Sequence, residues 1–180
     1  MNDRVYNHGI DRLRSPERIE RLEVNKVVEL CLNHKAINSV LDIGTGSGLF
    51  AEGFFKQNKK VAGIDLNPEM LAAAKKHLPE VQFEISRAES LPFDDNSFDL
   101  VFMGVIFHEV DDYMEAMQEA KRVAAKQVSI LEFKYVEEEF GPPLKHRLRE
   151  EFLRNLSEKV GFAEMQTVPL KNLVLYHFMK

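Results

Sequence analysis

One stretch restricts this chain more than any other: Val40-Leu41-Asp42-Ile43-Gly44-Thr45-Gly46-Ser47-Gly48, an apolar run that passes directly into glycines at alternate positions. The β-branched and aliphatic residues suit a strand covered on both faces, as in a parallel sheet. The glycines let the backbone turn sharply, approach a ligand closely and aim its amides at it from the start of a helix. A strand of that kind needs parallel neighbours, so the rest of the chain must supply them. After the first run, Ile37 to Ile43, similar runs recur at Val61 to Ile64, Val81 to Ile85, Leu100 to Val105 and Val128 to Phe133. Helical stretches separate them: Leu49 to Gln57, Pro68 to Leu78 with Asn67 as cap, and Asp112 to Ala125 with Met114, Met117 and Ala120 on one face. This alternation predicts an α/β fold with right-handed crossovers and helices on both faces of a mostly parallel sheet.

The two ends read differently. Ser15 and Pro16 form an N-cap and a preset first helical residue, and one helix is expected from there to about Lys35, with Ile19, Leu22, Val27, Leu30 and Cys31 as its apolar stripe. Near the other end Leu148, Phe152, Leu156 and Val160 recur every four residues, a helix that Gly161 can end. Two closing strands follow, Ala163 to Val168 and Leu173 to Met179. The turn between them, with Pro169, Lys171 and Asn172, is short enough for an antiparallel hairpin. The expected sheet therefore has seven strands, and 180 residues at 44% hydrophobic content suit one core.

Composition removes several functions. A net charge of -5 offers no cation excess for phosphate backbones, so a nucleic-acid substrate is disfavoured. No apolar run approaches the roughly 18 residues of a membrane span, and no signal peptide follows Met1, so a cytoplasmic, soluble protein is expected. Cys31 is the only cysteine and falls on the apolar stripe, which excludes an internal disulfide and a cysteine-rich zinc site. The histidines lack the spacing that pairs ligands on one helical face, and no dedicated metal site is expected.

The glycines fall as G-x-G-x-G, and Leu49 stands where a dinucleotide fingerprint needs a small residue, which argues against a bound pyrophosphate. Asp42, at the strand end, would repel a phosphate but can pair with an ammonium group. Asp65 ends the next strand at the distance where an acidic side chain accepts both hydroxyls of a ribose; its other reading is a turn aspartate before Asn67-Pro68. The implied ligand has a ribose and a cation, with no essential phosphate.

At this point the chain resembles the Rossmann-like, class I family of S-adenosylmethionine-dependent methyltransferases, in wording similar to its quinone-biosynthesis group and small uncharacterised relatives. Val40 to Gly48 looks like that family's first motif, and Ala62-Gly-Ile-Asp65-Leu-Asn-Pro-Glu-Met70 like its ribose-binding strand end. Ala88-Glu-Ser-Leu-Pro-Phe93, with Ser97-Phe-Asp-Leu-Val101 after it, is similar to the segment bordering the adenine. The resemblance implies that Asp42, Gly44, Thr45, Gly46 and Gly48 surround the amino-acid end of the cofactor, that Asp65 holds the ribose with Leu66 a further cofactor contact beside it, and that Ala88 and Glu89 flank the adenine. Met103 and Gly104 would line the path from sulfonium to acceptor. Relatives commonly carry aspartate before the Ala88 position, where this chain has Arg87. Either the adenine finds another acceptor there, or cofactor affinity is reduced, or Arg87 faces solvent.

His108 lies in Phe107-His-Glu-Val-Asp111-Asp112, similar to the family's Leu-His-His-like segment, and its ordinary pKa near neutrality suits a general base; a structural histidine bonding a loop carbonyl is the other reading. The resemblance implies a small-molecule methyl acceptor, and the loops beyond the carboxyl ends of the strands make Tyr6, His8, Lys134, His146 and Arg147 its candidate contacts. The Phe140-Gly-Pro-Pro-Leu144 connection would hold His146 and Arg147 over the cleft. The chain is then expected to divide into an N-terminal lid and helix over 1–35, a cofactor-binding core over 36–135, and a substrate-side loop, helix and hairpin over 136–180. A non-catalytic cofactor-binding or partner protein of the same fold is the alternative. Monomer and homodimer remain open.

Overall fold

Strand residues alternate between two faces, and here both faces are apolar, so the sheet has to be covered on both sides. In the computed structural model, which describes residues 9–33 and 36–180, the central strand Phe98–Gly104 (β4) sends Val101 and Met103 into one core and Leu100 and Phe102 into the other. The other strands are Ser39–Ile43 (β1), Lys60–Asp65 (β2), Gln82–Ile85 (β3), Ala124–Phe133 (β5), Glu164–Pro169 (β6) and Leu173–Met179 (β7). Their order is β3-β2-β1-β4-β5-β7-β6, with the first five parallel and β7 antiparallel to both neighbours. This is the expected seven-stranded, mostly parallel sheet with its C-terminal hairpin.

Among the described residues, four helices cover the faces as two sets. Val24–Leu32 (α2) and Leu49–Lys56 (α3) pack Val27, Cys31 and Phe54 into the core that holds Leu100 and Phe102. Tyr113–Val123 (α5) and Glu150–Val160 (α6) bring Met117, Ala120, Leu153 and Leu156 to the other face. Pro68–His77 (α4) follows β2, capped by the Asn67 side chain on the Glu69 amide at 2.9 Å. Gly161, at φ +82°, ends α6 as expected. No described helix is long and apolar enough to cross a membrane.

Two expectations need correction. The single helix from Pro16 is two, Pro16–Arg21 (α1) and α2, because Glu23 adopts a left-handed φ of +48°. The apolar stripe slips by five residues between Leu22 and Val27, and the break realigns it. The Glu23 carboxylate meanwhile accepts the Lys171 amide at 2.9 Å, fastening the break to the β6–β7 turn. The second correction is at Ala124: α5 ends at Val123 and β5 begins at once, ten residues long, so the strand absorbs the expected end of the helix.

Register places the site. Ile43 pairs with Ile64 on β2 and with Met103 on β4, so Gly44, Asp65 and Gly104 emerge together at the carboxyl edge. There β1 has one neighbour from each half of the sheet, the switch point where α/β sheets open a crevice.

Candidate functional site

The glycine turn is held by the two acids that flank it. Asp42 is only 2% exposed, and its Oδ2 accepts the Thr45 hydroxyl at 2.7 Å and the Ala51 amide at 3.1 Å. Burial among apolar strands pushes its carboxyl up to about 7, against the pull of those hydrogen bonds. Asp65 accepts the Gly46 amide on Oδ2 at 2.8 Å and the Asn67 amide on Oδ1 at 2.9 Å. Burial raises this carboxyl too, while the backbone donors lower it. Each oxygen has about two acceptor directions, so two engaged amides leave capacity for a pair of hydroxyl donors. Gly44 and Gly46 stand at φ +66° and +54°, which excludes most side chains. A Cβ on Gly44 would also meet Ile106 Cγ1 at 2.7 Å, so the loop after β4 lies directly on the turn.

The crevice above the turn has a volume of about 980 Å³. That is at the upper end of the roughly 300–1,000 Å³ of small-molecule sites and leaves room for two ligands side by side. One end is lined by Asp42, Gly44, Thr45, Gly46, Asp65, Leu66 and Gly104. These residues fit the implied cofactor: close-approach glycines, a diol acceptor and a second acid beside them. A 3-10 turn, Ile10–Arg14, roofs this end, where Arg14 donates to the Ser47 carbonyl at 2.9 Å and pairs with Glu52. Val105, leaving β4, holds a left-handed φ of +55°, strained for a β-branched residue, and lines the crevice.

His108 stands at the other end in a 3-10 turn, Phe107–Glu109, and is 3% exposed. Its Nδ1 lies 2.9 and 3.0 Å from the two oxygens of Glu132, which also accept the His108 amide at 3.0 Å and the Phe133 amide at 3.2 Å. Glu132 is 1% exposed and surrounded by donors. A carboxylate so placed accepts from a protonated Nδ1, and in the neutral ring that makes Nε2, 3.7 Å from Glu109 Oε1, the acceptor. Glu132 is the penultimate residue of β5 and His108 follows β4, so two adjacent parallel strands build the pair.

Other expected residues lie elsewhere. Gly48, at φ +78°, opens α3, and a Cβ there would meet Ala74 at 3.1 Å, so it serves helix packing. Met103 is fully buried in the core and does not line the crevice. Ala88 is buried in the same core, and Glu89 turns its carboxylate to the Asp111 and Asp112 amides at 2.8 and 3.3 Å. Arg87 pairs with Asp111 at 2.7 Å on the surface, away from the crevice lining. On the acceptor side His146 lines the crevice, whereas Lys134 donates to the Lys171 carbonyl at 2.7 Å.

Arg147 corrects the expected path of the loop. Its side chain is fully buried and donates to the carbonyls of Pro142, Lys134 and Phe140 and to Glu138, at 2.6–3.0 Å. It is a clamp that holds the loop, not a group over the cleft. Tyr6 and His8 lie outside the described residues, and among the described residues no cluster has metal-ligand character. Sequence reasoning missed the Glu132–His108 pair and the arginines of α1. An acid between Leu131 and Phe133 in a buried strand was the available signal for Glu132.

Comparison with known proteins agrees with this geometry. The family described as "Methyltransferase domain" matches residues 41–131. Demethylmenaquinone methyltransferase of Chlorobaculum tepidum is 42% identical over 85 residues, 47% of this chain and 35% of that protein. An uncharacterised methyltransferase of Bacillus subtilis, YcgJ, is 36% identical over 94 residues, 49% of this chain and 37% of its own length. The matches thus span little more than a third of these curated relatives. A solved SAM-dependent methyltransferase from Aquifex aeolicus superposes with a TM-score of 0.82 at 28% identity, covering 94% of this chain and 96% of the other.

Proposed function

The chain belongs to the class I S-adenosylmethionine-dependent methyltransferase family, and from that premise we propose that its crevice binds S-adenosylmethionine and that the chain methylates a small-molecule acceptor. One observation carries the reading: the glycine turn and Asp65, joined by the 2.8 Å bond from the Gly46 amide, open into a crevice that continues to His108. Gly44, Gly46 and Asp42 would hold the amino-acid end of the cofactor, Asp65 the ribose and Leu66 the adenine side. The bound cofactor would supply an electrophilic methyl on a sulfonium that leaves as a neutral thioether.

The chain's own residues have a modest task, since alignment and exclusion of water account for much of the rate with so good a leaving group. Glu132 fixes the His108 tautomer, and Nε2 takes the proton of an acceptor hydroxyl as its oxygen receives the methyl. Val105, Ile106 and Phe133 close the crevice around that point. Nothing among the described residues favours the non-catalytic alternative, and Arg87 is engaged on the surface by Asp111. Calorimetry with S-adenosylmethionine, S-adenosylhomocysteine and NAD tests the reading. The first two are expected to bind and the third not to; binding of NAD alone overturns it.

A further inference from the structure

The crevice lining includes the acids Glu17 and Glu109, and its acceptor end also carries cations and rings that alignment of a methyl group does not require. Arg21 on α1 lines it and forms no ion pair among the described residues; its guanidinium lies 4.8 Å above the Phe140 ring. Phe140 packs on Phe133 at 6.3 Å, and Phe133 meets the His108 ring edge-on at 5.9 Å. Two phenyl rings therefore separate the arginine from the histidine, with Pro142 and Pro143 continuing the same apolar wall. Arg18, three residues before Arg21 on the same helical face, also lines the crevice, as does His146. A guanidinium stacked on a ring keeps its N–H edge available for a fork of parallel bonds to a carboxylate, with less rotamer freedom to lose.

The wall is preformed. Gly141, at φ +79°, lets the loop close on Phe133, where a Cβ would come within 2.5 Å of the ring, and the Arg147 clamp holds it there. Resting on the methyltransferase reading above, we propose that the acceptor is a hydroxylated aromatic carboxylate. Its carboxylate meets Arg21 with Arg18 beside it, its ring lies along Phe133 and Phe140, and its hydroxyl reaches His108 Nε2. In the transfer the hydroxyl oxygen bonds to the methyl, the methyl–sulfur bond breaks, and the hydroxyl proton passes to His108.

The test is an NMR titration of the full chain saturated with S-adenosylhomocysteine, using 4-hydroxycinnamate and its uncharged isostere 4-hydroxycinnamamide. The acid should bind about tenfold or more tightly than the amide. Arg21→Gln should erase that preference, and Arg21→Lys should restore part of it; Arg21 is exposed, so neither variant threatens the fold. Equal binding of acid and amide, no binding of either, or a preference that survives Arg21→Gln overturns the assignment. If S-adenosylhomocysteine itself fails to bind, the methyltransferase reading falls and this one with it. If it binds while acid and amide are not distinguished, only the acceptor assignment falls.

Discussion

The two ends of the crevice are built by different physics. At the cofactor end, residues close in sequence hold each other: Asp42 reaches Thr45 and Ala51, and Asp65 reaches Asn67 and, across one crossover, Gly46. At the acceptor end the partners are distant: His108 meets Glu132 from the next strand, and Arg21 meets Phe140 from a loop more than a hundred residues on. The first end is specified by local turn chemistry and the second by which strands and helices become neighbours. Damage should therefore separate cleanly: cofactor affinity on one side, turnover and acceptor recognition on the other.

The largest expected effect is at the acceptor end. His108→Ala should lower turnover by about 10²–10⁴-fold with cofactor affinity unchanged. Glu132→Gln should follow with a smaller loss and a shifted pH profile. Turnover equal to wild type in His108→Ala leaves the histidine a purely structural part. Next comes a pH effect at the cofactor end. The Asp42 carboxyl, about 7 when folded against an ordinary 3.8, keeps its proton where the unfolded chain has lost it. Its contribution to stability is thus present below about pH 4 and lost as pH rises through 7, at up to about 1.4 kcal/mol per pH unit. Asp42→Asn, uncharged throughout, should lack that slope. Urea melts of both proteins at pH 5 and pH 8 check it, and a stability difference that does not change with pH defeats it.

Arg147→Ala should cost about 3 kcal/mol of stability, because it strips a buried clamp from three carbonyls and a carboxylate. It should raise the acceptor KM and leave the cofactor Kd alone; a changed cofactor Kd would mean that the two ends are coupled. The smallest effect belongs to Asp65→Ala, expected to weaken cofactor binding by about 1–3 kcal/mol in calorimetry, with the amides of Gly46 and Asn67 left unpaired. An unchanged dissociation constant would remove Asp65 from the site.

The same division explains what could be read in advance. The strand–helix alternation, the hairpin and the glycine turn carry short-range signals: β-branched runs, the cap at Asn67 and Gly161 after α6. Gly48 was misplaced because a glycine that spares a ligand and a glycine that spares Ala74 look alike in a string. Met103 was misplaced because a strand end fixes a level in the sheet but not which face a side chain takes. Arg147 stood in a run of basic residues, and only the fold of the Pro142–Pro143 loop turned it inward to carbonyls. The break at Glu23 was partly visible in the slipped apolar stripe, but its αL geometry is fixed by Lys171, from the far end of the chain.

By itself the sequence determined the α/β alternation, the close-approach turn and the acid at the next strand end, because each depends on residues within a few positions of one another. The tertiary structure alone decided that Glu132 locks His108 and that Arg21 lies over Phe140 opposite it. Those contacts arise when parallel pairing sets β4 beside β5 and when α1 and the proline loop meet across the crevice, and neighbourhood of that kind leaves no local mark on the chain.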